Sequence, residues 1–188
     1  MKELLNLIAS YPASTPQEIA DQRLMTAFIE AHPNATKRSN LAAHVTSSIV
    51  ILNTTYDHVL MGYHQIYQSW GWFGGHNDGD EDCYRVALKE AQEETGLSAF
   101  VQASQEIVAL DVIYVENHLK QGQYVPDHLH LNVSYGFIAD DRASLKHNPH
   151  EHQGLRWFPL DTYLHSVKET RMKPIYEKII ARMLAKKG

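Results

Sequence analysis

The chain has 188 residues, with 17 Lys plus Arg against 22 Asp plus Glu and a formal charge of −5. That length suits one domain able to bury a sizeable core without cross-links. Its 44 % hydrophobic and 21 % charged content excludes a disordered chain, and the acidic excess excludes a broad basic surface for extended nucleic acid.

The lone Cys83 excludes an intramolecular disulfide framework and a Cys-rich zinc site. No apolar run approaches the ~18–20 residues that span a bilayer. The N-terminus lacks a long apolar segment and cleavage site, so no membrane association and a cytoplasmic location are expected. Thr15-Pro16-Gln17-Glu18 predicts a helix start, with Thr15 as N-cap, Pro16 at the first helical position and Glu18 completing a capping box. Ile19, Leu24, Ala27, Phe28 and Ala31 continue an apolar stripe that His32-Pro33 ends. Residues 44–52 are β-branched and aliphatic and predict a strand, Asn53 to Asp57 a turn, and Val59–Tyr63 the returning strand. Glycines 71, 74, 75 and 79 predict a loop.

A helix is expected from about Asp82 to Thr95, with Tyr84, Leu88, Ala91 and Thr95 on its core side and Gly96 as a left-handed C-terminal cap. Strands follow at 107–115, 129–138 and 154–158, then a terminal helix within 168–187 whose start Pro174 places near Lys173. With no repeat or linker, a single mixed α/β domain is the simplest reading.

The charge is local. Residues 78–94 contain seven acids (Asp78, Asp80, Glu81, Asp82, Glu90, Glu93, Glu94) and two bases (Arg85, Lys89). Two minus seven is −5, the charge of the whole chain. Glu90, Glu93 and Glu94, spaced three and four apart, share one helix face. Like charges at that spacing, in the last turn where the helix dipole is negative, are doubly unfavourable. A compensating cation would relieve both penalties, and three hard oxygens suit Mg²⁺ or Mn²⁺ better than zinc. The alternative is a solvated acidic face, the commoner fate of a charge run.

Residues 75–97 run Gly-His-Asn-Asp-Gly-Asp-Glu-Asp-Cys-Tyr-Arg-Val-Ala-Leu-Lys-Glu-Ala-Gln-Glu-Glu-Thr-Gly-Leu. This resembles the Nudix box, G-x5-E-x7-R-E-U-x-E-E-x-G-U, with Gly75, Glu81, Glu90, Glu93, Glu94, Gly96 and Leu97 in register. Lys89 stands where Arg is usual and loses the rigid guanidinium fork; Ala91 is small for its position. The resemblance extends to the strand–turn–strand ahead of the box, to Ser69-Trp70-Gly71-Trp72-Phe73-Gly74-Gly75-His76 (many members have Pro at Phe73), and to Leu155–Asp161. It covers roughly residues 40–187, leaving residues 1–37 as an added helical arm before a domain at 38–188.

The resemblance implies an α/β (α+β) Nudix-type α/β/α sandwich with a mixed β-sheet. It implies Mg²⁺-dependent hydrolysis of a diphosphate linkage in a small molecule, a nucleoside diphosphate joined to another moiety. Glu90 and Glu94 are then metal ligands, Glu93 a ligand or water activator, and the carbonyl of Gly74 a further ligand. Gly75, Glu81, Lys89 and Gly96 are supporting residues. The general base is open among Glu93, Glu151 and Glu116. Two other functions compete: a Nudix-fold binding or regulatory module, favoured by Lys89, and an isopentenyl-diphosphate isomerase, disfavoured because the only Cys lies inside the box helix. A homodimer through the arm is compatible with the sequence.

Six of the twelve His lie between 118 and 152. His128 and His130 share a strand face with Asn132 and Ser134. With His76 they either hold phosphate or a substrate hydroxyl, or are hydrogen-bonded imidazoles of a half-buried strand. A zinc site from His64, His76, His128 and His130 lacks local ligand spacing, and His147, His150 and His152 read as loop residues. Trp72 is a candidate for stacking a base or sugar; core packing is expected for at least two of Tyr67, Trp70, Trp72 and Phe73. Cys83 is expected to be inert filler.

Overall fold

The computed structural model describes residues 1–65, 68–120, 122–149 and 152–187. Tyr67, His150 and Glu151, singled out above, lie outside the described residues. Helices α1 (Lys2–Ser10) and α2 (Pro16–Ala31) precede strands β1 (Ala43–Asn53), β2 (His58–His64), β3 (Ser69–Gly71) and β4 (Phe73–His76). Helix α3 (Cys83–Thr95) follows, then β5 (Gln102–Ala103), β6 (Ala109–Val115), β7 (His118–Lys120), β8 (Gln123–Val125), β9 (His128–Ala139), β10 (His152–Pro159) and α4 (Lys173–Ala185). The main sheet runs β10-β2-β1-β9-β5, with β3 on β2, β4 on β1 and β6 on β9. Strand β1 pairs parallel with β9 from Ala43↔Leu129 to Asn53↔Ala139, and the other pairs are antiparallel, so the sheet is mixed.

Alternation along β1 and β9 gives the sheet two different faces. Val45, Ile49 and Ile51 of β1 join Leu131, Val133, Tyr135 and Phe137 of β9 in one core, where Cys83, Ala87 and Ala91 of α3 and Leu4, Ile8, Met25 and Ile29 of α1 and α2 also pack. On the opposite face Val50, Leu52 and Ile138 pack against Tyr176, Ile179, Ile180 and Met183 of α4. A Cβ on Gly136 would lie 2.9 Å from Met183, so this glycine lets α4 sit down on β9. Beyond the reach of α4 the same face turns polar: His44, Thr46 and Ser48 on β1, and His128, His130, Asn132 and Ser134 on β9. The two ends of one sheet face thus serve different purposes, core and cleft.

The structure departs from the sequence expectations in several elements. Glycines 74 and 75 do not make a loop; they pair with Ser48 and Ser47 as part of β4. A Cβ on Gly74 would meet the Ser47 carbonyl oxygen at 2.5 Å, and its φ is +151°, so glycine is what permits this close pairing. Helix α2 starts as expected, with the Thr15 hydroxyl accepting from the Glu18 N–H at 3.2 Å, but it buries Glu18, Met25 and Ile29, leaving Ile19 and Leu24 exposed. Helix α3 buries Val86, Ala87 and Glu94 beside Ala91 and Thr95, with Tyr84 and Leu88 only partly buried. The short β5 and the β7–β8 hairpin carry too little apolar pattern to be foreseen. Gly96, at φ +73°, caps α3 as its position predicts.

Candidate active site

An open cleft of about 990 Å³ lies over the polar end of the sheet. Thr46, Ser48, His130 and Asn132 line its floor, Gly74, Gly75, His76 and Glu94 one wall, and Arg171, Ile175, Tyr176 and Lys178 another. Asn132, fully buried, organises the floor. Its side-chain oxygen accepts from the Thr46 hydroxyl at 2.9 Å and the Ser48 hydroxyl at 2.7 Å, and its amide donates to Ser134 at 2.9 Å.

The three box glutamates occupy distinct environments on α3. Glu94 is buried at 3 % exposure and faces the cleft. Its Oε2 accepts from the Gly74 N–H at 3.1 Å, and its Oε1 lies 3.6 Å from His152 Nε2. Glu90 is half-buried with its carboxylate against Gly75, where a Cβ would meet Oε1 at 2.5 Å. Glu93 is exposed and faces Lys89 Nζ at 3.7 Å. Burial and a ring of glycine backbone therefore fix Glu94 and Glu90, while Glu93 extends from the outer side of the helix. Glu81 is exposed and ion-paired to the Met1 ammonium.

His152 is the residue that local reading misses. It opens β10 opposite His64, is 2 % exposed, and stands edge-on to Phe73. Gly62 makes its place, since a Cβ there would fall 2.6 Å from its ring. The expectation that His152 is a loop residue is corrected; its burial depends on pairing with a strand far away in sequence. His147 is exposed, as a loop residue should be.

The imidazoles at the floor's far end cluster. Ring centroids of His44 lie 5.0 Å from those of His76, His128 and His130, and His76 and His128 each lie 5.0 Å from His130. Burial, then neighbouring imidazoles, push His130 down to about 2, and burial also lowers His44. His64 is not in this group; its ring stands edge-on to His152 at 5.9 Å.

Trp72 lines the cleft and meets Tyr176 edge-on at 5.3 Å, with its backbone N–H donating to the Tyr176 hydroxyl at 3.4 Å. Phe73 is fully buried and Trp70 packs on Phe158, so both serve the core. Glu116 lines the cleft rim. Cys83 is fully buried beside Asn77, and burial pushes its thiol up.

The model of the NUDIX domain matches residues 42–183. The chain belongs to the Nudix family. As a member it is a pyrophosphohydrolase by family. Its fold is similar to that of a C. elegans Ap4A hydrolase in a binary complex (TM-score 0.57, 16% identity, 75% of this chain and 98% of that one). The E. coli dihydroneopterin triphosphate pyrophosphohydrolase gives a TM-score of 0.56 at 15% identity over 73% of this chain and 94% of that one. The NUDIX domain of Shewanella oneidensis NrtR, complexed with ADP ribose, gives 0.56 at 15% identity over 78% and 92%. No curated protein matches the chain. No helix among the described residues is long and apolar enough to cross a membrane.

Proposed function

We propose that this Nudix domain is a Mg²⁺-dependent hydrolase, with Mn²⁺ a working substitute, that cleaves the diphosphate linkage of a nucleoside diphosphate joined to another moiety. One observation carries the reading: the buried carboxylate of Glu94 meets the cleft exactly where the Gly74-Gly75 backbone crosses it. Burying a carboxylate is costly unless its charge is used. The donor set of Glu90 and Glu94 with the Gly74 carbonyl is all oxygen, which fits a hard divalent cation, and Glu93 would have to turn from Lys89 to join it. When bound, the ion neutralises phosphate oxygens and acidifies an attacking water.

The chain's own residues do the rest. The Gly74 N–H holds Glu94 by a hydrogen bond, and the His152 ring stands 3.6 Å from its other oxygen. Arg171 brings positive charge to the wall facing the box, where it can orient the phosphates, whereas Lys178 is engaged by Asp111. Trp72 offers an aromatic face for a base or sugar. Among the base candidates within the described residues, Glu116 already lines the cleft, whereas Glu93 is turned to Lys89; a rim carboxylate can take the proton of water attacking phosphorus in line. Ap4A, dihydroneopterin triphosphate and ADP ribose, named with the similar structures, share a phosphoanhydride, the bond assigned here.

The test is phosphate-bond hydrolysis across a panel of nucleoside diphosphate derivatives with Mg²⁺. Glu94→Gln should lower kcat by roughly 10²-fold or more, and Glu116→Gln within the 10²–10⁴ range of a lost general base. Equal rates for wild type and Glu94→Gln would overturn the mechanism; no turnover by wild type on any member of the panel would leave a binding module, the function that Lys89 in place of Arg favours.

A further inference from the structure

We propose that His44, His76 and His130 form a second metal site, for a borderline transition-metal ion of the Zn²⁺ class, with His128 beside them against His44 and His130. Among the described residues, these three are the group of His, Cys, Asp or Glu side chains whose ligand atoms all lie within 4.8 Å of one another. They come from three strands. His44 on β1 is in register with His130 on β9, and β4 brings His76 two residues along.

The hydrogen bonds around the cluster select the nitrogens. His44 Nδ1 lies 3.1 Å from the Asn40 carbonyl oxygen, so Nδ1 carries the proton and donates. That leaves Nε2 as a lone pair, and this atom is buried without a hydrogen-bond partner in a side chain only 4 % exposed. His128 repeats the arrangement, with Nδ1 2.8 Å from the Pro126 carbonyl oxygen. A backbone carbonyl on the far ring nitrogen is the usual means of fixing a metal-ligating imidazole. His128 Nε2 and His130 Nε2 are 3.2 Å apart, close to the roughly 3.4 Å edge of a tetrahedron with Zn–N bonds near 2.0–2.1 Å. An orphaned, buried lone pair is costly, and a cation would remove that cost.

Neutral nitrogen donors select the ion. Imidazole suits Zn²⁺, Ni²⁺ or Cu²⁺, whereas Mg²⁺ keeps to carboxylate oxygens and water. The site is therefore chemically distinct from the glutamates of α3. His76 and His130 also line the cleft, so a cation here would place positive charge at one end of the substrate floor.

The experiment uses the full chain, stripped with chelator and titrated with Zn²⁺ or Co²⁺ alone. Wild type should bind about one tight Zn²⁺ per chain, raise its Tm on binding, and give the intense visible absorption of tetrahedral Co²⁺. His130→Gln and, separately, His44→Asn should weaken Zn²⁺ more than the roughly 10–100-fold expected for loss of an outer partner. Glu94→Gln should bind Zn²⁺ as wild type does, so failure of this site and failure of the proposed hydrolase are read separately. His147→Ala, at an exposed position away from the cluster, controls for adventitious histidine binding. A wild-type protein with no tight Zn²⁺, with octahedral Co²⁺ only, or with affinity unchanged in folded His130→Gln overturns the proposal.

Discussion

Gly62 has a hydrogen where any other residue has carbon, and that difference decides whether His152 can stand beside Glu94. A Cβ would sit 2.6 Å from His152 Nδ1, a contact that cannot be held. Gly62→Ala should therefore displace the ring and destabilise the fold by about 1–3 kcal/mol, the usual cost of overpacking, with a fall in kcat because Glu94 loses a neighbour. Gly154, on the same strand as His152, has open space at its Cβ, and Gly154→Ala should stay within about 0.5 kcal/mol. Urea midpoints and turnover of the two variants make the comparison. At this scale Glu90, Glu93, Glu94 and Gly75 were legible as candidates because the box is contiguous in sequence, and Gly74 because it adjoins the box. His152 and His44 were not, since one follows Asn-Pro-His-Glu and reads as loop, and the other reads as an ordinary strand residue. What makes each special is a partner more than 80 residues away, His64 for one and His130 for the other.

Helix α2 illustrates a reversal at the scale of elements. Its apolar pattern points to Ile19 and Leu24, yet the buried stripe contains a charge, Glu18. Arg182 Nη2 donates to Glu18 Oε2 at 2.7 Å, Lys178 Nζ lies 3.5 Å from Oε1, and Lys178 also donates to Asp111 at 2.6 Å. This network ties α2, β6 and α4 together, and binary patterning has no means of announcing it. Burial alone would raise Glu18, but Arg182, Tyr11 and Lys178 hold it down to about 2; burial lifts Asp111 to about 6 against its Lys178 partner. The two carboxylates act oppositely. Glu18 contributes stability that is present above about pH 4.3 and is lost as pH falls through about 2. Asp111 contributes stability present below about pH 3.9 and lost as pH rises through about 6. His130, held near 2, adds stability as pH rises toward about 6.5, so it masks Asp111 in wild type. Asp111→Asn should accordingly steepen the rise of the urea midpoint between about pH 4 and 6 in metal-free buffer.

For the whole molecule, the box pointed to the candidate site, and the hydrophobic strands located the sheet, but neither showed how the N-terminal helices attach. Leu4, Ile8, Met25 and Ile29 share a core with Val45 and Leu131, and the Val112 N–H on edge strand β6 donates to Asp21 of α2 at 2.8 Å. Deleting residues 1–37 should therefore abolish cooperative thermal unfolding and expose apolar surface that binds a hydrophobic dye; an unchanged, sharp melt by circular dichroism would mean the arm is dispensable. The parallel β1–β9 ladder has a further result, in the order of synthesis. Ala43 pairs with Leu129, and 129 − 43 is a separation of 86 residues, so this seam closes a long loop and belongs to the slow part of folding. A nascent chain that has already emerged through the box at Leu97 still lacks Asn132, and with it the bridge to Thr46 and Ser48. The cleft floor therefore forms only when this long seam closes, and the wall that α4 adds to it comes later still; ligand capture would report a cleft assembled from both.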